Sequence, residues 1–154
     1  MHEKRILFEA SIRADLAAIE ALYSALGDEP LAVEAPEDEV IVIAYRLHNL
    51  YTAFENIFRT IAIAFENTLD ERYGWHRQLL ERMRLDLSPM RPAVIDDAAY
   101  AALDELLRFR HLFRSAYSAR LNAERLGLVL RAARDLRPLY RPQIEGFLRF
   151  VSAS

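Results

Sequence analysis

The chain contains no cysteine. Disulfide scaffolds, cysteine-ligated zinc or cluster sites and thiol nucleophiles are thereby excluded. Histidine is scarce: His2, His48, His76 and His111 are the four, and none stands in His-Glu-x-x-His or another recognised metal spacing. No metal and no cofactor is expected. Glycine (4) and proline (6) are few in 154 residues, and no repeat, low-complexity tract or interdomain linker interrupts the pattern. Long apolar runs are missing too. The longest, such as Val40-Ile41-Val42-Ile43-Ala44-Tyr45, fall far short of a membrane span. The N-terminus has neither an apolar stretch nor a small-residue cleavage site, so no signal peptide is read and a cytoplasmic protein, away from membranes, is expected. Several enzyme signatures are absent: the Gly-x4-Gly-Lys-Ser/Thr phosphate loop, Gly-x-Gly-x-x-Gly and the Gly-x-Ser-x-Gly elbow.

What remains is a length and composition suited to one soluble domain over residues 1–154, with 53% apolar residues to build a single core. Lysine is nearly absent, Lys4 standing against 19 arginines. Arginine's planar fork suits bidentate phosphate contacts. The net charge of −3 conceals an asymmetry. Residues 1–107 carry 10 Lys and Arg against 20 Asp and Glu, a net of −10. Residues 108–149 carry 10 Arg against Glu124, Asp135 and Glu145, a net of +7. Two readings are open: a polyanion-facing surface on an acidic body, or intramolecular pairing of acidic and basic faces.

Hydrophobic periodicity of about 3.6 residues runs through most of the chain and predicts an all-α, up-down bundle of five to six helices. A first helix covers Met1 to about Leu26, with Ile12, Leu16, Ile19, Leu22 or Tyr23, and Leu26 on its buried face and Gly27 as C-cap. A second, from about Asp38 to Glu66, buries Leu47, Leu50, Phe54, Ile57, Phe58, Ile61 and Phe65 and is long enough to be the central pillar. A third follows from Asp70 to about Leu87, bent or restarted near Gly74, until Ser88-Pro89-Met90-Arg91-Pro92 breaks the chain. The fourth begins at Asp96 or Asp97 and ends near Leu121. Asn122 caps a fifth helix to about Ala133, and a short closing helix comes after Pro138 and Pro142.

The fourth helix carries the candidate chemistry. Leu103, Leu106, Leu107 and Phe113 share one face, and Arg110 falls in the middle of that stripe. A guanidinium there must be paired, reach out to solvent or sit in a functional cleft, because an unpaired buried charge costs too much. Glu55 is one carboxylate available to it. His48, Trp75 and His76 are assigned to packing or surface.

The run Arg110-x4-Ser115-x-Tyr117 resembles the Arg-x4-His-x-Tyr signature of HepT-like toxins, in the HEPN superfamily of helical RNA-processing domains. Leu106-Leu107-Arg108-Phe109-Arg110-His111, Ala116-Tyr117 and Glu124-Arg125-Leu126 are similar to the same family, most specifically over Phe109 to Leu126. The resemblance implies a toxin of a toxin–antitoxin pair that cuts RNA without metal, its ribose 2′-hydroxyl attacking the adjacent phosphate. It also implies a twofold homodimer with facing motifs, and a nucleotidyltransferase antitoxin that adds AMP to the hydroxyl matched by Tyr117. Arg110 then stabilises the phosphorane charge, with Arg114 and Arg108 in support.

One departure stands out: the family's histidine position holds Ser115. A hydroxyl has no proton affinity suited to base work near pH 7, so catalysis is expected to be weakened or lost, by about 10²–10⁴-fold. His111, one turn before Ser115, is the available substitute on that helix. Positions 110 and 115 lie about 140° apart around an ideal helix, which is a further reason to expect a site completed across a dimer. The alternative reading is a non-catalytic helical module that docks a nucleotidyltransferase or RNA.

Overall fold

The computed structural model describes residues 2–67, 72, 74–115 and 121–154. Among them are five helices and no strand: α1 (His2–Leu26), α2 (Glu37–Glu66), α3 (Trp75–Met83), α4 (Asp97–Ser115) and α5 (Ala123–Ala153). The expected all-α bundle is what forms.

Local chemistry sets most of the boundaries. Gly27 takes a left-handed φ of 66°, and its N–H closes on the Tyr23 carbonyl at 3.1 Å, ending α1. Glu37, Asp38 and Glu39 place three carboxylates in the first turn of α2, where the helix dipole favours them. Asp96 caps α4, its carboxylate accepting from the Ala99 N–H at 2.9 Å. Asn122 caps α5, its side-chain oxygen accepting from the N–H groups of Glu124 and Arg125 at 2.8 and 3.3 Å.

Helix α2 is the pillar, packing against each of the other four helices. Leu47, Leu50, Tyr51, Phe54, Ile57, Phe58 and Ile61 are wholly buried along it. Each large apolar side chain so placed contributes roughly 1.5–3 kcal/mol relative to exposure. Against this stripe pack Ile12, Leu16 and Ile19 of α1, Leu103 and Leu106 of α4, and Leu136, Tyr140 and Ile144 of α5. No helix among the described residues is long and apolar enough to cross a membrane.

Two expectations from periodicity need correcting. The third helix is shorter than the expected Asp70–Leu87. It opens after Gly74, at φ 82°, and closes at Met83; residues 68–71 and Tyr73 lie outside the described residues. Its end has a definite cause. Arg91, with no exposed surface, donates from Nη2 to the Arg82 carbonyl (3.0 Å) and from Nη1 to the Leu85 carbonyl (3.2 Å). The guanidinium thus takes carbonyls that a continuing helix would have satisfied with its own N–H groups. Its remaining bonds reach the Pro92 carbonyl at 3.0 Å and the Glu66 carboxylate at 2.9 Å, fastening the 84–95 connection to the end of α2.

The second correction concerns the C-terminal segment. In place of two helices there is one of 31 residues, with Pro138 and Pro142 inside it. Proline lacks the N–H that would reach the residue four back, and its ring crowds that carbonyl. Both prolines lie on the exposed side of α5, one turn apart, while Leu136, Tyr140, Ile144, Phe147 and Leu148 bury the other side without a break. The Tyr140 hydroxyl donates to Glu20, the Tyr23 hydroxyl donates to the Ala133 carbonyl at 2.6 Å, and the two rings stack 5.7 Å apart. Tertiary packing carries the helix through.

Candidate functional site: an arginine-lined cleft

Helices α3 and α4 and the start of α5 wall an open cleft of about 1230 Å³. Trp75, His76 and Arg77 come from the first turn of α3, Arg108, Arg110, His111 and Arg114 from the last two turns of α4, and Arg125 from the first turn of α5. With Arg72, six arginines line it against two carboxylates, Glu81 and Glu105. A second depression, of about 440 Å³ near Gly27, has the opposite balance: Glu29, Asp38 and Glu39 against Arg46. Only the larger cleft has the sign a polyanion requires.

The two readings of the charge asymmetry divide along α5. Arg134 donates to the carbonyls of Gly27 and Glu29 at 3.0 and 2.6 Å. Arg137 and Arg141 each lie 3.8 Å from the Glu20 carboxylate, and Glu145 bonds Arg13. These cations are engaged with the acidic α1 side. Arg108, Arg110, Arg114 and Arg125 instead turn to the cleft.

Within the cleft the arginines are not equivalent. Asp104, nearly buried on α4, accepts from Arg77 Nη1 at 2.5 Å and from Arg108 Nε at 3.0 Å. One carboxylate therefore joins the two walls and takes up much of the charge of both cations. Arg110 is half-buried and pairs with no carboxylate among the described residues; its Nε is enclosed without a hydrogen-bond partner. Its side chain lines the cleft. Arg114 and His111 are exposed along the same wall. Ser115 is the last described residue of α4; its side chain and residues 116–120, which hold Tyr117 and the last turn of the helix expected to reach Leu121, lie outside the described residues.

Glu55 does not pair with Arg110. It is buried on α2, and its Oε2 lies 2.8 Å from His76 Nδ1. His76, assigned from sequence to packing or surface, is a cleft residue held by that carboxylate. The available signal was Glu55 itself, a lone acid between Tyr51 and Phe58 on the buried face of α2. Its partner depended on how α3 crosses α2, which periodicity does not encode.

His48 packs as expected, its ring 5.3 Å from that of Phe113. Burial pushes its pKa below the usual imidazole range; the Asn49 hydrogen bond opposes this, and the charges of Arg110 and Arg114 add to the depression. The neighbouring Tyr51 hydroxyl is buried without a partner and holds its proton more tightly than a free phenol. Burial is the main cause and the Glu55 carboxylate the next, while Arg110 and Arg77 pull the other way. Tyr51 thus lies within electrostatic reach of Glu55, Arg77, Asp104 and Arg110, of which Arg77 and Arg110 line the cleft.

No curated protein and no solved structure matches this chain. A family model described as HepT-like protein matches residues 42–151, which include every residue of the cleft. The match covers well over half of the sequence and agrees with the resemblance carried by Arg110-x4-Ser115-x-Tyr117: the chain belongs to the HepT-like protein family.

Proposed function

We propose that this protein is the toxin subunit of a toxin–antitoxin pair, acting on RNA as a homodimer by metal-independent cleavage. The observation that carries the reading is Arg110, a half-buried cation with no carboxylate partner among the described residues, set in a cleft lined by six arginines. A preorganised guanidinium in a partly water-excluded wall is suited to the charge that develops on a phosphorane. Arg114 and Arg125 extend the cationic track for the backbone on either side. Ser115 leaves the chain without the histidine that the motif supplies for proton transfer.

The test is RNA cleavage in EDTA by the chain as given and by Ser115→His. The histidine form is expected to cut faster, by about 10²-fold or more. Equal rates in the two would remove position 115 from the chemistry. Absence of cleavage by both, in folded dimers that still bind RNA, would establish the alternative that Ser115 favours, a module that docks RNA or a nucleotidyltransferase without cutting.

The antitoxin is proposed to be a nucleotidyltransferase that adds AMP to Tyr117. Each AMP would bring negative charge and bulk to a cationic cleft and so oppose RNA, as phosphorylation does at basic sites. Incubation with the partner enzyme and ATP should raise the intact mass in AMP steps, and Tyr117→Phe should abolish the gain. An unchanged gain in Tyr117→Phe would assign the acceptor elsewhere.

A further inference from the structure

We propose that His76, oriented by Glu55, is the general base for the cleavage that the chain retains with Ser115 in the motif. This rests on the ribonuclease reading above and adds to it a residue outside the motif.

The two members of the pair are exposed to very different degrees. The Glu55 side chain is 5% exposed and that of His76 is 29%, so the carboxylate is shut in while the imidazole opens on the cleft. In the proposed arrangement the Glu55 carboxylate is the acceptor and Nδ1 the donor in the 2.8 Å contact. The lone pair of the neutral ring is then on Nε2, the nitrogen Glu55 does not hold. This is the orienting role a buried acid performs for a catalytic imidazole: it fixes tautomer and ring direction without reacting.

Position supports the assignment. His76 lies in the first turn of α3, on the wall facing Arg108, Arg110 and Arg114 of α4. His76 and Arg110 both line the cleft, and Tyr51, on α2 beneath α3 and α4, lies within electrostatic reach of both Glu55 and Arg110. The Trp75 ring lies 3.8 Å from the imidazole, with the Arg59 guanidinium 5.2 Å from its centroid. The Trp75 indole itself lines the cleft beside the base.

The step balances with groups already named. His76 Nε2 takes the proton of the ribose 2′-hydroxyl as the 2′-oxygen forms its bond to phosphorus. The bond from phosphorus to the 5′-oxygen breaks, and that oxygen leaves with a proton from water. The imidazolium returns its proton to the hydroxide so formed. The products are a 2′,3′-cyclic phosphate and a 5′-hydroxyl, and no oxidant, metal or co-reactant is consumed.

The experiment compares cleavage of one RNA in EDTA by the chain as given, His76→Ala, His111→Gln and Ser115→His, with folding and RNA affinity measured for each. His76→Ala should lose about 10²-fold or more in rate while still binding RNA. Added imidazole should restore part of that loss, an effect a merely structural histidine would not give. His111→Gln, on the opposite wall of the same cleft, should lose less rate than His76→Ala, and a larger loss overturns the assignment. A His76→Ala protein that cuts at the original rate, or a loss that imidazole does not relieve, overturns the assignment and leaves the ribonuclease reading intact. So does a chain that cuts only as Ser115→His. If no form cuts, both readings fall together. Nitrogen NMR of neutral His76 in the unmutated chain gives a check that needs no variant: protonation on Nδ1 is expected, and a proton on Nε2 overturns the proposal.

Discussion

Arg110→Ala should reduce RNA affinity and lower the slope of its salt dependence by about one unit, and in the Ser115→His background it should cut the cleavage rate by about 10²–10³-fold. The size of this effect follows from what surrounds each arginine. Arg108 is 65% exposed and already bridged to Asp104, so its charge is screened by water and offset by a neighbour. Arg110 is half-buried, and no carboxylate among the described residues pairs with it. A charge in that setting interacts more strongly with an incoming phosphate than one at the rim. Arg108→Ala should therefore weaken binding less than Arg110→Ala and leave the rate of bound RNA nearly unchanged. Filter binding from low to moderate salt, followed by single-turnover cleavage, separates the two contributions. Equal losses in both variants would mean that the cleft acts through its summed field, with no special role for position 110.

Arg91→Ala should lower the melting temperature by roughly 6–20 °C. Removing one partner of a buried ion pair costs roughly 3–5 kcal/mol, and about 2–4 °C is lost per kcal/mol in a domain of this size. Arg91 has no exposed surface, and its loss would strand the carbonyls of Arg82, Leu85 and Pro92 as well as part of the Glu66 carboxylate. Arg82 lies 3.4 Å from the same carboxylate and would retain part of the pairing. Arg91→Lys keeps the charge but not the planar fork that serves four acceptors, so its loss should be intermediate. Arg91→Met combined with Glu66→Gln should melt higher than Arg91→Met alone, because the stranded acid is removed with its partner. Calorimetry on the four proteins tests this. If the double variant is no better than the single, the carbonyls rather than the ion pair account for the cost.

How far the molecule could be read from its residues depended on the range of the interaction involved. The buried faces of α1 and α2 were legible because Ile12, Leu16, Ile19 and Leu47, Leu50, Phe54 recur at helical spacing within one segment. Asn122 and Gly27 were legible for the same reason, since a cap acts on the next few residues. Pro138 and Pro142 misled because their local preference is to end a helix, whereas the opposite face of α5 is held by α4, α2 and α1. Arg91 sat in what read as a plain break, and nothing near it in sequence announces that its partner is Glu66, 25 residues earlier. The cleft was half legible. The arginines of α4 stood out by charge and motif, while Arg77, His76 and Glu55 came to them through the crossing of α3 over α2 and α4.

Asp104 has a consequence for the thermodynamics of whatever enters the cleft. By holding Arg77 of α3 and Arg108 of α4 at once, it sets the spacing of the walls before a ligand arrives. Two long side chains that would otherwise lose rotamer freedom on binding are already restrained in the free protein. Each such side chain carries roughly 0.5–1.5 kcal/mol of ordering cost that association is then largely spared. A phosphate approaching either guanidinium meets a donor whose direction is set, and it must compete with a carboxylate for that donor. The cleft is thereby tuned toward ligands that bring several anionic groups in register and away from a single anion, which is how a strand differs from its monomers.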